Sequence, residues 1–462
     1  MSQQSNASSD LPPSLLMGEG WGEGEGASVR HRPLTRLATL ATLSHDHAVH
    51  GARRGKADAG GFPAYSLQPT AYSLILAAMC LGCAPAEQPV AAAGKPAQPA
   101  EIRSPEAPQA DDARDWPVFR GDAIADGVAR GTLADELEVL WKFSAKEHGF
   151  EATVAIADGI VFAGCLDGNL YALGLEDGQE KWTYHTDLGF SAPAAVADGR
   201  VFAGDADGKF YCFEAAGGKP LWGFESGGEI DSGPNFYKDR VLFGSQDATL
   251  YCLEAATGTL VWKYTIGDQI RCSPTVVEGR AFLAGCDGKL HIIDLEKGGP
   301  LAEVEIDAPT GSTPGVGGDR VFFGTEGSTF FAIDWKEAKI AWQFKSQRNM
   351  PFRSSAAITK EAVIFGGRDK QVYELDPADG HDVWKSPFAT RSRVDSSPVV
   401  VGSRVFVGSS DGRLYALDRK TGEKVWSYEA GGDFTASPAV AAGRLVIGNT
   451  DGTLYCFGAR KN

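Results

Sequence analysis

The sequence predicts an all-β protein, a single eight-bladed β-propeller, because one pattern recurs eight times after residue 138. Each copy contains four short runs rich in β-branched and aromatic residues, separated by turn residues. Four antiparallel strands in a repeat of about 40 residues are typical of a propeller blade. A glycine after the second run marks the period, with steps of 40, 40, 41, 39, 42, 42 and 40 residues. It stands at Gly164, Gly204, Gly244, Gly285, Gly324, Gly366, Gly408 and Gly448.

Asp-Gly pairs stand between the second and third runs of several copies. Asp-Gly favours the positive φ angles of a tight hairpin turn, so we expect a short hairpin at each pair. The pairs are Asp167-Gly168, Asp207-Gly208, Asp287-Gly288, Asp411-Gly412 and Asp451-Gly452.

The two ends of the repeat region predict how the ring closes. The last copy stops at Tyr455-Cys456-Phe457 and lacks its fourth strand, while Glu138–Phe143 is an isolated run before the first copy. That run matches Lys424–Tyr428, a fourth strand within the repeats. We therefore expect Glu138–Phe143 to pair into the last blade, which leaves no blade without its fourth strand.

Tryptophans recur at one position of the copies, and one copy lacks its tryptophan near Ala302. A large ring at a fixed place in each blade is expected to fill the wedge between neighbouring blades and to bury about 150–250 Å². A stacking platform for sugars or bases is the alternative role. Trp335 lies outside this register. The recurrent residues are Trp141, Trp182, Trp222, Trp262, Trp342, Trp384 and Trp426.

Composition and charge exclude several classes of protein. Hydrophobic residues make up 43% of the 462 residues and charged residues 23%, as in a globular protein. The net charge of −16 argues against a general nucleic-acid binder, which would carry a basic face. The repeats contain no phosphate loop, zinc motif or Ser/His/Asp arrangement, so we expect neither catalytic residues nor a metal site. Their cysteines lack Cys-x-x-Cys spacing and are predicted to be small buried hydrophobes.

The region before the repeats has no strand or helix periodicity. Residues 1–70 are predicted to be disordered, and residues 71–83 contain an apolar run of about 12 residues, the length of a signal-peptide core. The run resembles a bacterial lipoprotein signal with Cys83 as the lipid anchor; a disordered tail with a chance apolar patch is the alternative. Residues 84–113, rich in Pro and Ala, predict an extended tether. Because a signal lies at the N-terminus, we expect the native start downstream of Met1.

Two segments carry a resemblance to a known family. Asp418–Trp426 resembles the tryptophan-docking segment of PQQ-type β-propeller repeats. Asp115–Asp122 resembles the lead-in before the propeller of many exported members, so residues 114–137 are assigned to a lead-in segment and residues 138–462 to the propeller. The family includes BamB, a non-enzymatic outer-membrane assembly lipoprotein. The resemblance implies an exported, periplasm-facing, membrane-anchored protein that acts as a protein-interaction or scaffold module of the bacterial cell envelope.

The same resemblance implies a second candidate function, that of a quinone (PQQ)-dependent dehydrogenase. Such enzymes hold the quinone with calcium at the channel mouth, against a vicinal disulfide, whereas this sequence has no adjacent cysteines. Carboxylates precede several first strands, but no consistent calcium-binding set can be assigned to Glu151, Asp231, Asp395 and Asp433. We therefore expect no cofactor. A polysaccharide-binding module is the third candidate function.

The loops that lead into the sixth and seventh copies predict a partner site on a monomeric propeller. They carry several arginines on a chain of net charge −16, so this basic sector would suit an acidic protein partner. Met350 and Phe352 are its predicted apolar anchors. Surface arginines paired with nearby carboxylates are the alternative interpretation. The candidate residues are Arg348, Met350, Phe352, Arg353, Arg391 and Arg393.

Overall fold

The computed structural model describes residues 112–145 and 147–460. These residues form a short 3-10 turn at Asp112–Arg114 and 32 β-strands, arranged as eight four-stranded antiparallel sheets. No helix among them is long and apolar enough to cross a bilayer. The all-β, eight-bladed propeller predicted from the repeats is therefore confirmed.

Blades 1 to 7 follow the chain, each with its innermost strand first. Their strands are β2–β5 (Ala155–Ala157, Ile160–Gly164, Asn169–Gly174, Glu180–His185), β6–β9 (Ala195–Ala197, Arg200–Gly204, Lys209–Glu214, Pro220–Glu225), β10–β13 (Asn235–Tyr237, Arg240–Ser245, Thr249–Glu254, Leu260–Thr265), β14–β17 (Thr275–Val277, Arg280–Ala284, Lys289–Asp294, Gly299–Glu305), β18–β21 (Gly315–Gly317, Arg320–Gly324, Thr329–Asp334, Lys339–Lys345), β22–β25 (Ala357–Ile358, Val363–Gly367, Gln371–Leu375, Phe388–Ala389) and β26–β29 (Val399–Val401, Arg404–Ser409, Arg413–Asp418, Lys424–Glu429).

The first strand of the chain completes the last blade, as the sequence predicts. Blade 8 combines three C-terminal strands with an outermost strand from the start of the propeller: β30 (Ala439–Ala441), β31 (Arg444–Gly448), β32 (Thr453–Gly458) and β1 (Glu138–Ser144). β1 pairs antiparallel with β32 along its length. The backbone N–H of Ser437 donates to the hydroxyl of Thr153 at 3.2 Å, which joins blade 8 to blade 1 and closes the ring.

The recurrent tryptophans lie between neighbouring blades, and in six of the seven an indole N–H ties one blade to the next. Trp182 donates to the carbonyl of Ala215 at 2.9 Å. Its ring lies against Gly218, where a Cβ would come within 2.5 Å of the indole. The same bond, at 2.8 to 3.1 Å, is made by Trp141, Trp222, Trp262, Trp342 and Trp384. These rings therefore act as wedges that join adjacent blades.

Blade 4 has no tryptophan at the recurrent position, and Trp335 of blade 5 packs into that junction. Ala302 stands in β17 where six of the other fourth strands carry the indole, and Ala338 replaces the glycine on which it would lie. Trp335 is 4% exposed, packs in one apolar cluster with Ala302 and Ala338, and donates to the carbonyl of Gly318 at 3.2 Å. The loss of one wedge is thus matched by changes in the neighbouring blade.

The Asp-Gly turns differ from the tight hairpins that the sequence predicts. Four residues separate β3 from β4, and only the glycine, Gly168, has a positive φ, of 88°. The aspartate acts through its side chain: Tyr171 donates its hydroxyl to Asp167 at 2.7 Å, and the backbone N–H of Asn169 donates at 3.0 Å. In this turn only glycine has a positive φ, and aspartate fixes the turn by accepting hydrogen bonds, as Asp411 also does from Tyr415 at 2.7 Å. In blade 2 the acceptor is Asp205, not the aspartate of the Asp207-Gly208 pair.

The lead-in segment makes a complete circuit of the inner strands before the propeller begins. Carbonyl groups of Ala113 and of the lead-in accept hydrogen bonds of 2.7 to 3.0 Å from backbone N–H groups of blades 8, 1, 2, 4, 5, 6 and 7, in that order. Blade 3 joins through the side-chain amide of Asn235, which donates to Ala123 at 3.0 Å. Innermost strands have an unpaired edge, and the lead-in supplies acceptors for it. The backbone donors are Ala442, Ile156, Val196, Val276, Val316, Ile358 and Val400.

Arg120 of the lead-in extends its side chain across the channel. The residue is 1% exposed, and its Nη2 donates to the carbonyls of Ala356 in blade 6, at 3.0 Å, and Pro398 in blade 7. Gly127 packs against the guanidinium, because a Cβ there would lie 1.8 Å from Nη2. Burial lowers the pKa of Arg120 to about 10, opposed by the charge of Asp126. The side chain therefore stays charged at neutral pH and obstructs the channel.

Candidate functional site

The end of the channel away from these lead-in bonds forms a cavity of about 170 Å³, to which Phe119 of the lead-in also contributes. Two equivalent positions in each blade surround it, two residues apart and just before the first strand. The outer set, here called the mouth ring, is Glu151, Ser191, Asp231, Arg271, Gly311, Arg353, Asp395 and Thr435. The inner set contains six hydroxyls, here called the hydroxyl ring: Thr153, Ser273, Thr313, Ser355, Ser397 and Ser437.

The hydroxyls of the hydroxyl ring link the blades by accepting hydrogen bonds, but they donate none to the described residues. Each hydroxyl accepts a hydrogen bond of 2.9 to 3.2 Å from a backbone N–H of the preceding blade. All six residues are at most 7% exposed. None of the six donates to another residue in the described part of the chain, so their O–H groups are free to donate into the cavity. Pro193 and Gly233 take the equivalent positions in blades 2 and 3.

The mouth ring carries a charge pattern that is symmetric about one axis. Glu151 of blade 1 faces Gly311 of blade 5, since these blades are opposite in a ring of eight. The pairs on either side of this axis match in chemical type: Ser191 with Thr435, Asp231 with Asp395, and Arg271 with Arg353. The carboxylates therefore surround one pole of the cavity, and the two arginines flank the other.

Two members of the mouth ring are compensated by neighbouring charges. Arg353 forms a bidentate pair with Glu326, at 2.6 and 3.1 Å. Asp395 forms another with Arg368, at 2.8 and 2.9 Å. Bidentate guanidinium–carboxylate pairs are among the stronger protein ion pairs. These two groups are therefore held in place and contribute little net charge to the cavity.

The remaining charges of the mouth ring form no direct ion pair among the described residues. Glu151 is exposed and accepts no hydrogen bond from them. Asp231 accepts from the neutral amide of Gln246 at 2.7 Å and from a serine hydroxyl of blade 2 at 2.8 Å. Arg271 donates to the neutral Gln269 at 2.8 and 3.2 Å. The net result is a cavity with Glu151 at one side and Arg271 three blades away, where Asp231 on the adjacent blade is its neighbour in the ring.

Of the two predicted apolar anchors of the partner site, one is exposed and one is buried. Met350 is 40% exposed, whereas Phe352 is 1% exposed. The Phe352 ring packs perpendicular to Phe365, with centroids 5.2 Å apart, inside the wedge between blades 5 and 6. The expectation that Phe352 is an exposed anchor is therefore corrected, because the loop turns this side chain into the core.

The four predicted arginines are exposed, and three of them have partners in the structure. Arg353 pairs with a carboxylate as described above, and Arg393 contacts Asp395 at 3.1 Å. Arg348 donates to the carbonyl of Asp369 at 2.8 Å. The side chain of Arg391 has no partner in the described range. The structure thus brings the arginines to one face of the ring, but it favours the paired interpretation for Arg353 and Arg393.

The described cysteines are free thiols, and five of the six are buried. Burial raises the pKa of Cys212, Cys252 and Cys456 to about 12, so these thiols are protonated and poorly nucleophilic at neutral pH. The lipid-anchor candidate Cys83, with residues 1–70, 71–83 and all but the last two residues of 84–113, lies outside the described residues.

The channel mouth does not fit a quinone with calcium. Its volume of about 170 Å³ is below the roughly 300 Å³ at which pockets for drug-sized ligands begin. Its carboxylates lie on blades 1, 3 and 7 and do not converge on one point. Within the described ranges, only Asp376, Asp379 and His381 bring three possible ligand atoms within 4.8 Å of one another, in the loop between β24 and β25.

Comparison with known proteins supports the fold and identifies the family. The structure resembles BamB from Moraxella catarrhalis (17% identity, TM-score 0.62, 70% of this chain and 100% of that chain). It also resembles the quinohemoprotein alcohol dehydrogenase from Comamonas testosteroni (15%, 0.63, 76% and 82%) and the computationally designed Ika8 protein (16%, 0.62, 70% and 100%). At these identities the likeness concerns the fold alone.

A search of curated protein sequences gives no significant match. A family model described as outer membrane protein assembly factor BamB matches residues 126–229, 206–298 and 277–461. These matches cover well over half of the chain and include every blade. The chain belongs to this PQQ-type β-propeller family.

Proposed function

We propose that this protein is a non-enzymatic interaction or scaffold propeller of the bacterial cell envelope, acting in outer-membrane protein assembly. The observation that carries the proposal is the obstructed channel. The lead-in circuit and the Arg120 side chain occupy one end, and the cavity at the other end is only about 170 Å³. The loops of a propeller of this kind are available for recognition of a partner. The family description, outer membrane protein assembly factor BamB, supports this role.

The proposal includes an exported protein anchored by lipid at Cys83 and facing the periplasm. It rests on the family and on the apolar segment 71–83, followed by the Pro/Ala-rich tether. Metabolic labelling of native cells with a fatty-acid analogue tests it. We expect label in the wild-type protein and none after Cys83→Ala. Label retained by the variant, or recovery of native peptides from residues 1–50, contradicts this part of the proposal.

The partner surface is expected on the loops that carry Arg348, Met350, Arg353, Arg391 and Arg393. The test variant reverses three charges, Arg353→Glu, Arg391→Glu and Arg393→Glu. A matched control reverses three exposed lysines of outer strands, Lys181→Glu, Lys263→Glu and Lys424→Glu.

The readout is the amount of folded outer-membrane β-barrel protein in cells that lack the native gene and carry one version of it. We expect the loop variant to lower that amount as the gene deletion does, while the control restores it and both variants melt like the parent. If the loop variant restores the wild-type level, these loops are not the partner surface. If deletion of the gene has no effect on barrel proteins, the protein has no role in their assembly.

The second candidate function, quinone-dependent alcohol oxidation, is tested on the same purified protein. It is favoured only by the fold shared with the Comamonas dehydrogenase. We expect no saturable spectral change on titration with the quinone and calcium, and no dye-linked oxidation of alcohols. Saturable binding of the quinone together with alcohol oxidation would show that the protein is an enzyme and would refute the scaffold proposal.

A further inference from the structure

The hydroxyl ring beneath the mouth has hydrogen-bonding capacity that the protein does not use. Ser273, Thr313 and Ser355 lie under the two arginines of the mouth ring and are 3 to 7% exposed. Each accepts one backbone hydrogen bond and donates none to the residues described here. A buried O–H without an acceptor loses free energy relative to water, about 1–3 kcal/mol for each group. Three adjacent donors of this kind suit a ligand with an acceptor oxygen, such as a carboxylate.

The mouth ring adds opposite charges at the two sides of the same cavity. Arg271 donates to the neutral Gln269 at 2.8 Å, and its charge opposes the rise that burial causes in the pKa of Glu229, in the loop before blade 3. Glu151 on blade 1, three blades from Arg271, has no cationic partner in the described chain, whereas Asp231 on blade 3 is next to Arg271 in the ring. Between Glu151 and Arg271 the hydroxyls are interrupted, because Pro193 and Gly233 offer none. One side therefore recognises an anion, and the other recognises a cation.

The glycine of the mouth ring leaves space between the arginines. Gly311 stands between Arg271 and Arg353, and an added Cβ would lie 3.5 Å from the Cβ of Arg271, at ordinary contact distance. No strain and no clash therefore requires glycine here. A side chain at this position would instead occupy the cavity next to Ser273 and Thr313.

We propose that the channel mouth binds a small zwitterion whose carboxylate and ammonium groups lie at opposite ends, an amino acid or dipeptide in chemical class. The carboxylate accepts hydrogen bonds from Arg271 and the hydroxyls of Ser273, Thr313 and Ser355. The ammonium group lies at Glu151, three blades away from Arg271. The volume of about 170 Å³ limits the ligand to this size. This site does not depend on the proposed scaffold role, because it uses the channel rather than the arginine loops.

The test is isothermal titration of the purified protein with probes of defined charge. The zwitterionic probes are 4-aminobutyrate, 6-aminohexanoate and glycylglycine, and the singly charged probes are hexanoate and hexylamine. We expect saturable binding of at least one zwitterion, about tenfold or more tighter than either singly charged probe, since each end gains a charge-assisted hydrogen bond. The length series also measures the separation of the two poles.

Two charge-neutral variants assign the poles. Glu151→Gln and Arg271→Gln should each weaken binding of the zwitterion about tenfold, because each removes one charged contact. The matched controls, Glu180→Gln and Lys181→Gln on the exposed strand β5, should leave the affinity unchanged. Gly311→Ala should weaken binding without lowering the melting temperature, whereas Gly299→Ala, in open space on β17, should change neither.

Three results would overturn the proposal. The first is no saturable binding of any zwitterionic probe up to about 10 mM, the weak limit of specific recognition. The second is equal affinity for hexanoate or hexylamine. The third is an unchanged affinity in both pole variants, which would place the ligand elsewhere on the molecule.

Discussion

Glu374 is a carboxylate in the core of blade 6, and its removal should abolish part of the pH dependence of stability. It lies in β24 at a position that most other blades fill with alanine or cysteine, such as Ala172, Cys252 and Ala416. The residue is 4% exposed, and its Oε2 has no hydrogen-bond partner among the described residues. Burial raises the pKa of Glu374 from 4.5 to about 7, although the charge of Arg419 opposes the change.

The sign and size of the effect follow from this difference in pKa. Because the folded protein holds the Glu374 proton more tightly than the unfolded chain, stability is greatest below the unfolded pKa of 4.5 and falls as the pH rises towards about 7. The change in pKa from 4.5 to about 7 corresponds to about 3 kcal/mol of lost unfolding free energy above pH 7. Glu374→Ala introduces the residue found at this position in blades 1, 5 and 7 and removes this pH-dependent loss of unfolding free energy.

Urea unfolding of both proteins at about pH 4 and about pH 8 measures the effect as a double difference. We expect the variant to gain about 3 kcal/mol relative to the parent between the two pH values, whatever its packing loss at a single pH. Other groups that titrate in this range cancel, because both proteins contain them. An equal difference between variant and parent at both pH values would refute the assignment of a raised pKa to Glu374.

Three further predictions concern the joints of the ring. Deletion of Glu138–Phe143 removes the outer strand of blade 8 and should lower the melting temperature of the whole ring. A melting temperature equal to that of the parent would contradict the closure of the ring by this strand. Gly178→Ala should lower the free energy of unfolding by about 3 kcal/mol or more, because a Cβ would lie 2.7 Å from the Trp141 ring. Gly159→Ala, with φ of 73° and open space around it, should lower it by only about 1 kcal/mol. Equal urea midpoints for these two variants would exclude the tryptophan contact as the cause. Trp182→Phe keeps an apolar ring but loses the indole N–H, so it should lower the unfolding free energy by about 1–2 kcal/mol in urea titration, and no loss would mean that the bond is not stabilising.

The blades and their closure could be predicted because every blade repeats the same local signals. The glycine after the second strand, the tryptophan of the fourth strand and the turn aspartate each recur about every 40 residues. The phase of the repeat then places Glu138–Phe143 beside the last strands. The geometry of the turns was harder to predict from the sequence. An Asp-Gly pair does not reveal whether the aspartate adopts a positive φ or fixes the turn through hydrogen bonds to its carboxylate. The structure assigns that role to the carboxylate, as at Asp167.

The burial of Phe352 could have been found from the same repeat. One apolar residue stands just before the mouth-ring residue in seven of the eight blades, and each is at most 1% exposed. Considered alone, Phe352 resembles a loop aromatic beside arginines; considered with its equivalents, it is a core position. The set is Phe150, Phe190, Ile230, Ile270, Phe352, Val394 and Phe434.

The lead-in circuit could not be predicted in the same way, because it has no repeat. Residues 113–137 contact the eight blades through their backbone, and backbone hydrogen bonds leave little trace in side-chain identity. Arg120 would have been assigned to the surface, since a fully buried arginine is rare. Its only local signal is Gly127, the glycine that makes room for the guanidinium.

The circuit also explains why the two ends of the channel differ in an otherwise repetitive ring. Eight equivalent inner strands would leave a symmetric, water-filled channel with equivalent edges. The lead-in satisfies those edges at one end, and Arg120 fills the space between them. The mouth ring at the other end, freed from a role in blade packing, has diverged to Glu151, Arg271 and Gly311 at equivalent positions. Positions that repeat in structure but differ in charge are therefore the places where this propeller can acquire specificity without loss of stability.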